Sequence, residues 1–232
     1  MTGTGHARYP LRRPPEEAMT ELRLADELFL IGHDEYTGKP RANEELLGTG
    51  LAGAVLGELL INRRISCSGG KVVVLDQRPW GEVVSDAALG ELQRRLGTYV
   101  VRAWVEHLRD NAREAVGRRL VAMGMLRREE SRGVLSRKGA VRFPGVEPMV
   151  CAQPQVRLAY QLERPGVIHP QMATLAALLL ALGLEHLLVV TMSRQETREQ
   201  LTQITASLPA ELHALVTGVQ AATAALALTV RR

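Results

Sequence analysis

Cysteine, lysine and aromatic side chains are all scarce in this chain of 232 residues, and each scarcity removes a class of explanation. Its two cysteines, Cys67 and Cys151, stand far apart, with no C-x-x-C or paired-histidine spacing around them. They read as reduced thiols, not as a disulfide framework or a thiolate metal site. Aromatics make up 3% of the residues, so leucine, alanine and valine have to fill the core. Lys39, Lys71 and Lys138 are the lysines, and every other basic residue is arginine. Beside so much alanine, that bias is what a GC-rich genome produces, so arginine abundance alone points to no function.

Targeting and catalytic signatures are absent as well. Residues 1–19 are polar and proline-rich, carry Arg8, Arg12 and Arg13, and contain no secretory apolar stretch; they read as a flexible tail. The longest apolar run, residues 173–184, is shorter than the roughly 20 residues a membrane-spanning helix needs and is followed by Glu185 and His186. It reads as a buried core helix. No G-x-S-x-G, Walker loop or dinucleotide fingerprint occurs, and the glycine-rich run from Gly50 to Gly57 has no Lys-Ser/Thr after it. His33-Asp34-Glu35 sets an imidazole beside two carboxylates, but neighbours on a turn rarely converge on one substrate atom. His107 and Asp110, with Glu106 nearby, lack the further ligands a metal needs. His169, His186 and His213 are single histidines beside apolar helices and read as structural. The expectation is a non-enzyme with neither cofactor nor metal.

The chain is 46% hydrophobic, enough for a substantial core. Apolar periodicity predicts helices over residues 22–32, 44–62, 86–107, 112–123, 155–163, 173–184, 193–206 and 210–230. Ser68-Gly69-Gly70 and Ser131-Arg132-Gly133 mark the turns of two hairpins, over residues 65–76 and 126–142. With no alternation of strands and helices, the fold class is mainly α, with two small β-hairpins and no parallel sheet. Gly48, Gly50, Gly53 and Gly57 lie inside a predicted helix, where each costs about 1 kcal/mol against alanine. Close approach of neighbouring elements is the reason to expect them there.

Charge is unevenly spread. Residues 1–93 carry a net −4, residues 94–143 a net +8, and residues 144–232 are neutral. A local positive field of that size attracts phosphates, of lipid headgroups or of nucleic acid. Each arginine near an anionic bilayer is worth on the order of 1 kcal/mol. The steps from Leu59 to Ile65 and from Leu120 to Leu126 lead from helix to hairpin and resemble the helix-then-wing step of winged-helix domains. A wing bearing Arg128, Arg132, Arg137 and Lys138 would suit a nucleic-acid backbone. The helix expected to start at Ala112-Arg113-Glu114 offers one base-reading residue in its first turn, which makes nucleic-acid binding the weaker alternative.

Four blocks carry a family resemblance. The first runs from Leu22 through Asp26, Glu27 and Gly32 to Asp34 and Gly38. The second is Gly50-Leu51-x-Gly53 with Glu58-Leu59 and Arg64-Ile65. The third joins Lys71-Val72-Val73, Pro79-x-Gly81-Glu82 and Asp86-x-x-Leu89. The fourth is Trp104-Val105-Glu106 with Arg113-Glu114 and the run Leu120-Val121 to Leu126. Together they resemble the Golgi phosphoprotein 3 family, whose eukaryotic members are peripheral membrane adaptors for phosphatidylinositol 4-phosphate. The resemblance implies one helical domain over residues 20–232, with a bundle core, peripheral amphipathic helices and two hairpins. It also implies a cytoplasmic protein reversibly associated with membranes, whose second hairpin, residues 126–143, mediates self-association or touches the bilayer.

In the family's lipid site a Trp precedes the second helix, an Arg lies within the Gly-Leu-x-Gly motif, and two Arg follow on a later helix. The corresponding positions here are Asn43, Ala52, Asp110 (beside Arg109) and Arg113. The expectation is a shallow pocket near Asn43, Ala52 and Arg113. Anionic phospholipid would bind through Arg113, Arg109, Arg118 and Arg41. Trp80, on a Pro-Trp-Gly turn, is either an interfacial anchor or a cap on the core edge. On this expectation, loss of the Arg113 side chain weakens lipid binding without lowering the melting temperature.

Overall fold

A computed structural model describes residues 22–95, 99–131, 140–164 and 166–229. The expected tail over 1–19 and the tip of the second hairpin, with Arg132, Arg137 and Lys138, lie outside the described residues.

The described residues form nine α-helices and two antiparallel two-stranded sheets. In chain order they are α1 (Leu24–Gly32), α2 (Glu44–Ile61), β1 (Ile65–Ser68), β2 (Lys71–Val74), α3 (Val83–Arg94) and α4 (Val101–Ala122). There follow β3 (Glu129–Ser131), β4 (Ala140–Arg142), α5 (Pro148–Cys151), α6 (Gln153–Glu163), α7 (Pro170–Leu182), α8 (Arg194–Ala206) and α9 (Ala210–Thr229). The mainly-α class read from the sequence is the class observed.

The axis of the bundle is α2, which is buried without interruption from residue 47 to residue 60. A helix apolar on every side has to be enclosed by others, and its glycines make that possible. A Cβ added at Gly48 would stand 2.6 Å from the carbonyl oxygen of Arg109 in α4. At Gly50 it would meet Leu182 of α7, at Gly53 Val219 of α9, and at Gly57 Leu24 of α1. Each glycine admits a different neighbour. Asn43 caps the helix, its side chain accepting from the Glu45 and Leu46 amides at 2.8 and 3.3 Å.

α9 has the length and composition of a membrane span, with a mean hydropathy of 1.2. Leu212, Leu215, Val216, Val219 and Ala222 form its buried line, and it packs against α2, α4 and α7.

The first hairpin pairs Ile65 with Val74 and Ser68 with Lys71, closed by Gly69 and Gly70, both at positive φ as a two-residue turn of this hand requires. The chain entering α4 lies beside it: the Val72 amide donates to Tyr99 O, and the Val101 amide to Gly70 O.

One boundary differs from expectation. The sequence predicts helices over 86–107 and 112–123, but α3 ends at Arg94 and α4 runs unbroken from Val101 to Ala122. Asp110 and Asn111, weak helix formers that look like a break, are exposed. There they cost a few tenths of a kcal/mol, far less than the packing of α4 on α2 returns. Ala112 is therefore no helix start, and Arg113 sits in mid-helix.

The glycine argument can be checked by substitution. Gly48→Ala is expected to destabilise the fold by about 1–3 kcal/mol in urea unfolding, because the opposing atom is backbone and cannot yield. Gly90→Ala in α3, whose new methyl would meet only the Arg94 guanidinium at 3.8 Å, is expected to stabilise by up to about 1 kcal/mol. Shifts of the same sign at both positions would refute the close-approach account.

Candidate functional site

Arg113 projects from the middle of α4 and is held at three points. Its Nε donates to His33 Nε2 at 3.1 Å, and one terminal nitrogen donates to Val141 O at 2.9 Å. The guanidinium lies 5.6 Å from the centre of the Phe143 ring. The side chain is 13% exposed, and its remaining nitrogen faces the Glu44 carboxylate at 3.5 Å.

The partner histidine is fixed as firmly. His33 stacks on Phe29 and places Nδ1 2.8 Å from Phe29 O. Since Nε2 accepts from Arg113, the proton resides on Nδ1 and the ring is neutral. Burial, with Arg113 and Arg41 adding charge repulsion, lowers its pKa to about 3, although the bond to Phe29 O acts the other way. With both nitrogens engaged, His33 is a structural link between α1 and α4. Arg113 in turn ties α1 to β4. The expectation that it can be removed without thermal cost is therefore corrected: the side chain is a packed tie as well as a cation.

The other expected arginines are all paired. Arg109 meets Asp110 at 3.2 Å and Arg118 meets Glu114 at 2.8 Å. Arg41 pairs with Glu35 and donates to His33 O at 3.1 Å. Arg109 and Arg113 share a shallow depression of about 220 Å³ with Glu44, Glu45, Asp110 and Glu114. Four carboxylates around two guanidiniums offset the positive charge within this depression.

The single pocket expected near Asn43, Ala52 and Arg113 is not formed. Asn43 is spent on capping α2. Ala52, more than two turns further along, lines a separate cleft of about 450 Å³ between α2, α3 and α4, with Val55, Ala88, His107 and Leu108. Trp80 contacts a different pair of cations: Arg23 and Arg64 lie 5.1 and 5.6 Å from its ring. The ring is half-buried, and the backbone of its turn is held by the Asp86 carboxylate, which accepts from Trp80, Gly81 and Glu82. This arrangement favours the cap on the core edge over the projecting anchor.

The sequence reading overlooked a buried polar cluster. Glu58, in the last turn of α2, accepts from the Ala25 amide at 2.8 Å and from the Ser85 hydroxyl at 2.6 Å, joining the starts of α1 and α3. Burial raises its pKa to about 7; the two hydrogen bonds oppose this, and the Asp26 and Glu82 carboxylates add to it. Arg119 of α4 bridges Asp26 and Glu82. Asp26 is raised by burial, although Arg119 pulls the other way. The adjacent Glu27 turns to Arg157 of α6 at 2.5 Å and to Gln171 of α7 at 3.0 Å. The acidic pair of α1 is thus split between opposite neighbours. The available signal was a pair of carboxylates set in an otherwise apolar helix. Among the described residues no group of three or more His, Cys, Asp or Glu is placed to hold a metal ion.

The family model described as Golgi phosphoprotein 3 (GPP34) matches residues 24–227. A search of curated proteins finds no match.

The Glu58 cluster has a pH signature. A carboxyl raised from its ordinary value near 4.5 to about 7 in the fold contributes stability below pH 4.5 that is lost as pH rises through 7. The loss is on the order of 3 kcal/mol. Asp26, raised in the same direction, adds to the slope. Glu58→Gln keeps an acceptor for the Ala25 amide, and its amide nitrogen can donate to a Ser85 hydroxyl that turns to accept, so denaturant titrations between pH 5 and 8 are expected to show a flatter stability profile. An unchanged slope would place the titration on another group.

Proposed function

The chain belongs to the Golgi phosphoprotein 3 family, and from that premise we propose a non-catalytic protein that associates reversibly with anionic membrane lipids through the arginine-bearing face of α4. The observation that carries this reading is the posture of Arg113. Three fixed contacts hold the guanidinium rigid, and one nitrogen is left turned to the surface. Its partner there is a carboxylate at 3.5 Å on Glu44, a residue whose side chain is 62% exposed. A headgroup phosphate forms strong charge-assisted bonds to guanidinium, and a phosphomonoester such as the 4-phosphate also carries more charge than a carboxylate, so it can take the position Glu44 occupies.

Arg109 stands in the same depression, and the first turn of α2 adds the positive end of a helix dipole. Exposed ion pairs such as Arg118–Glu114 are worth at most about 1 kcal/mol. They yield to a dense anionic surface. Phosphatidylinositol 4-phosphate is one candidate ligand within this class; Asn43 and Ala52 supply neither an aromatic ring nor a further cation for it.

Nucleic-acid binding has less support. It needs a helix free to enter a groove with base-reading residues in its first turn, whereas α2 is enclosed and Arg113 lies in mid-helix.

Vesicle co-sedimentation tests the proposal, with phosphatidylcholine, phosphatidylglycerol, phosphatidylinositol and phosphatidylinositol 4-phosphate compared and duplex DNA as competitor. Binding is expected to all anionic vesicles over phosphatidylcholine and to weaken with salt. Glu44→Gln is expected to tighten it about 2–5-fold, the equivalent of losing one exposed ion pair. Arg109→Ala with Arg118→Ala is expected to weaken binding at unchanged melting temperature, while Arg113→Ala lowers both. Absence of binding to every vesicle, or preference for DNA, would contradict the proposal.

A further inference from the structure

Exposed apolar side chains gather around the first hairpin. Val73, Leu75, Val83, Tyr99 and Val100 are between 41% and 78% exposed. The backbone explains why they share a surface. Along β2 side chains alternate, so Val72 is buried while Lys71, Val73 and, just beyond the strand, Leu75 point outward. Lys71 is bridged to Val100, and bridged residues stand side by side on one face of a sheet. Val83 opens α3, which packs against β2.

Cations predominate on the hairpin's own stretch, while the Glu211 carboxylate of α9 is engaged by the Cys67 amide of β1 at 3.0 Å. Between residues 63 and 83, Arg63, Lys71 and Arg78 are exposed, and Arg63 and Lys71 form no ion pair among the described residues. Arg63 is also held at φ 53°, in the turn that leads into β1. The acidic residues of the same stretch are already engaged. Asp76 pairs with Arg64 at 2.5 Å and Arg78 at 3.0 Å, which holds its carboxyl well below the usual range. Glu82 is buried against Arg119.

We propose that the outer face of the first hairpin, formed by Val73, Leu75, Val83 and Val100 with Arg63, Lys71 and Arg78, is a bilayer contact that seats in the headgroup zone of an anionic membrane. The inference rests on the membrane reading above and adds a second surface to it. Neither component suffices by itself. Partly exposed aliphatic side chains give weak partitioning, and three cations give weak electrostatic attraction. The two acting on one plane give reversible, composition-dependent attachment. The charge pattern is what selects this occupant: the apolar centre is rimmed by cations with no free carboxylate among residues 63–83 to repel phosphate.

The test places an environment-sensitive fluorophore on Leu75→Cys, with Glu199→Cys on α8 as reference; the native Cys67 and Cys151 are buried. With phosphatidylglycerol vesicles the probe at position 75 is expected to brighten and shift to the blue, and the probe at 199 to stay unchanged. The variant Val73→Ser, Leu75→Ser, Val83→Ser changes exposed positions only, so its melting temperature is expected to hold while vesicle partitioning falls at least tenfold. If the unlabelled chain sediments with vesicles while the probe at 75 stays in water and the triple variant binds equally, this inference is overturned and the α4 proposal stands. If the unlabelled chain binds no vesicle, both fall. A response at 75 that requires only a second copy of the chain, with the triple variant moving to a lower mass in solution, would make the face a self-association surface and overturn the inference.

Discussion

Everything else in this structure is arranged around the burial of α2. Its glycines bring α1, α4, α7 and α9 to contact, and enclosure on all sides leaves its one buried carboxylate, Glu58, without water. That carboxyl has to find donors, and it takes them from the starts of α1 and α3. A buried ionisable group is weak evidence for stability in itself, because the cost of desolvation offsets much of what its bonds return. What it does fix is register. A slip of α1 by one residue along α2 would leave both the Ala25 amide and the Glu58 oxygen unsatisfied inside the protein, each at a cost of about 1–3 kcal/mol. The Asp26–Arg119–Glu82 bridge extends the same constraint to α4.

The surface proposed to meet lipid is a consequence of that framework. α4 lies against α2 with Gly48 at its closest approach, which decides which of its arginines turn in and which turn out. Arg119 is consumed in the buried bridge, and Arg113 is drawn into the His33–Phe143 contact with one nitrogen remaining at the surface. Arg109 and Arg118 stay outside, in ion pairs that solvent weakens. Among the described residues, the arginines near Arg113 are thus a few displaceable pairs around one rigid cation. Such a surface suits the reversible, salt-sensitive attachment proposed above.

Much of the fold was legible in the sequence because its signals are local. The Ser68-Gly69-Gly70 turn and the glycines of α2 act within a few residues and are found where expected, and helix periodicity is met except at the division of α3 and α4. The site was less legible because its geometry depends on contacts between residues far apart in the chain. Nothing near Arg113 announces His33, eighty positions earlier. Asn43, read as the place of a missing aromatic, is a helix cap. Ala52 and Arg113, read from the resemblance as parts of one pocket, line different depressions. Asp110-Asn111 looked like a helix end because propensity is a weak term that tertiary packing overrides.

The account turns on Arg113 being a structural tie and a ligand-facing cation at once. Its Nε–H, bonded to His33, is shielded enough to be followed by nitrogen–proton NMR. During titration with a short-chain, soluble phosphatidylinositol 4-phosphate, the Arg113 Nε–H resonance and the Glu44 and Glu45 amides are expected to shift together in a saturable, salt-sensitive way. Resonances that stay fixed there while the protein still binds anionic vesicles would move lipid recognition away from Arg113 and contradict the account.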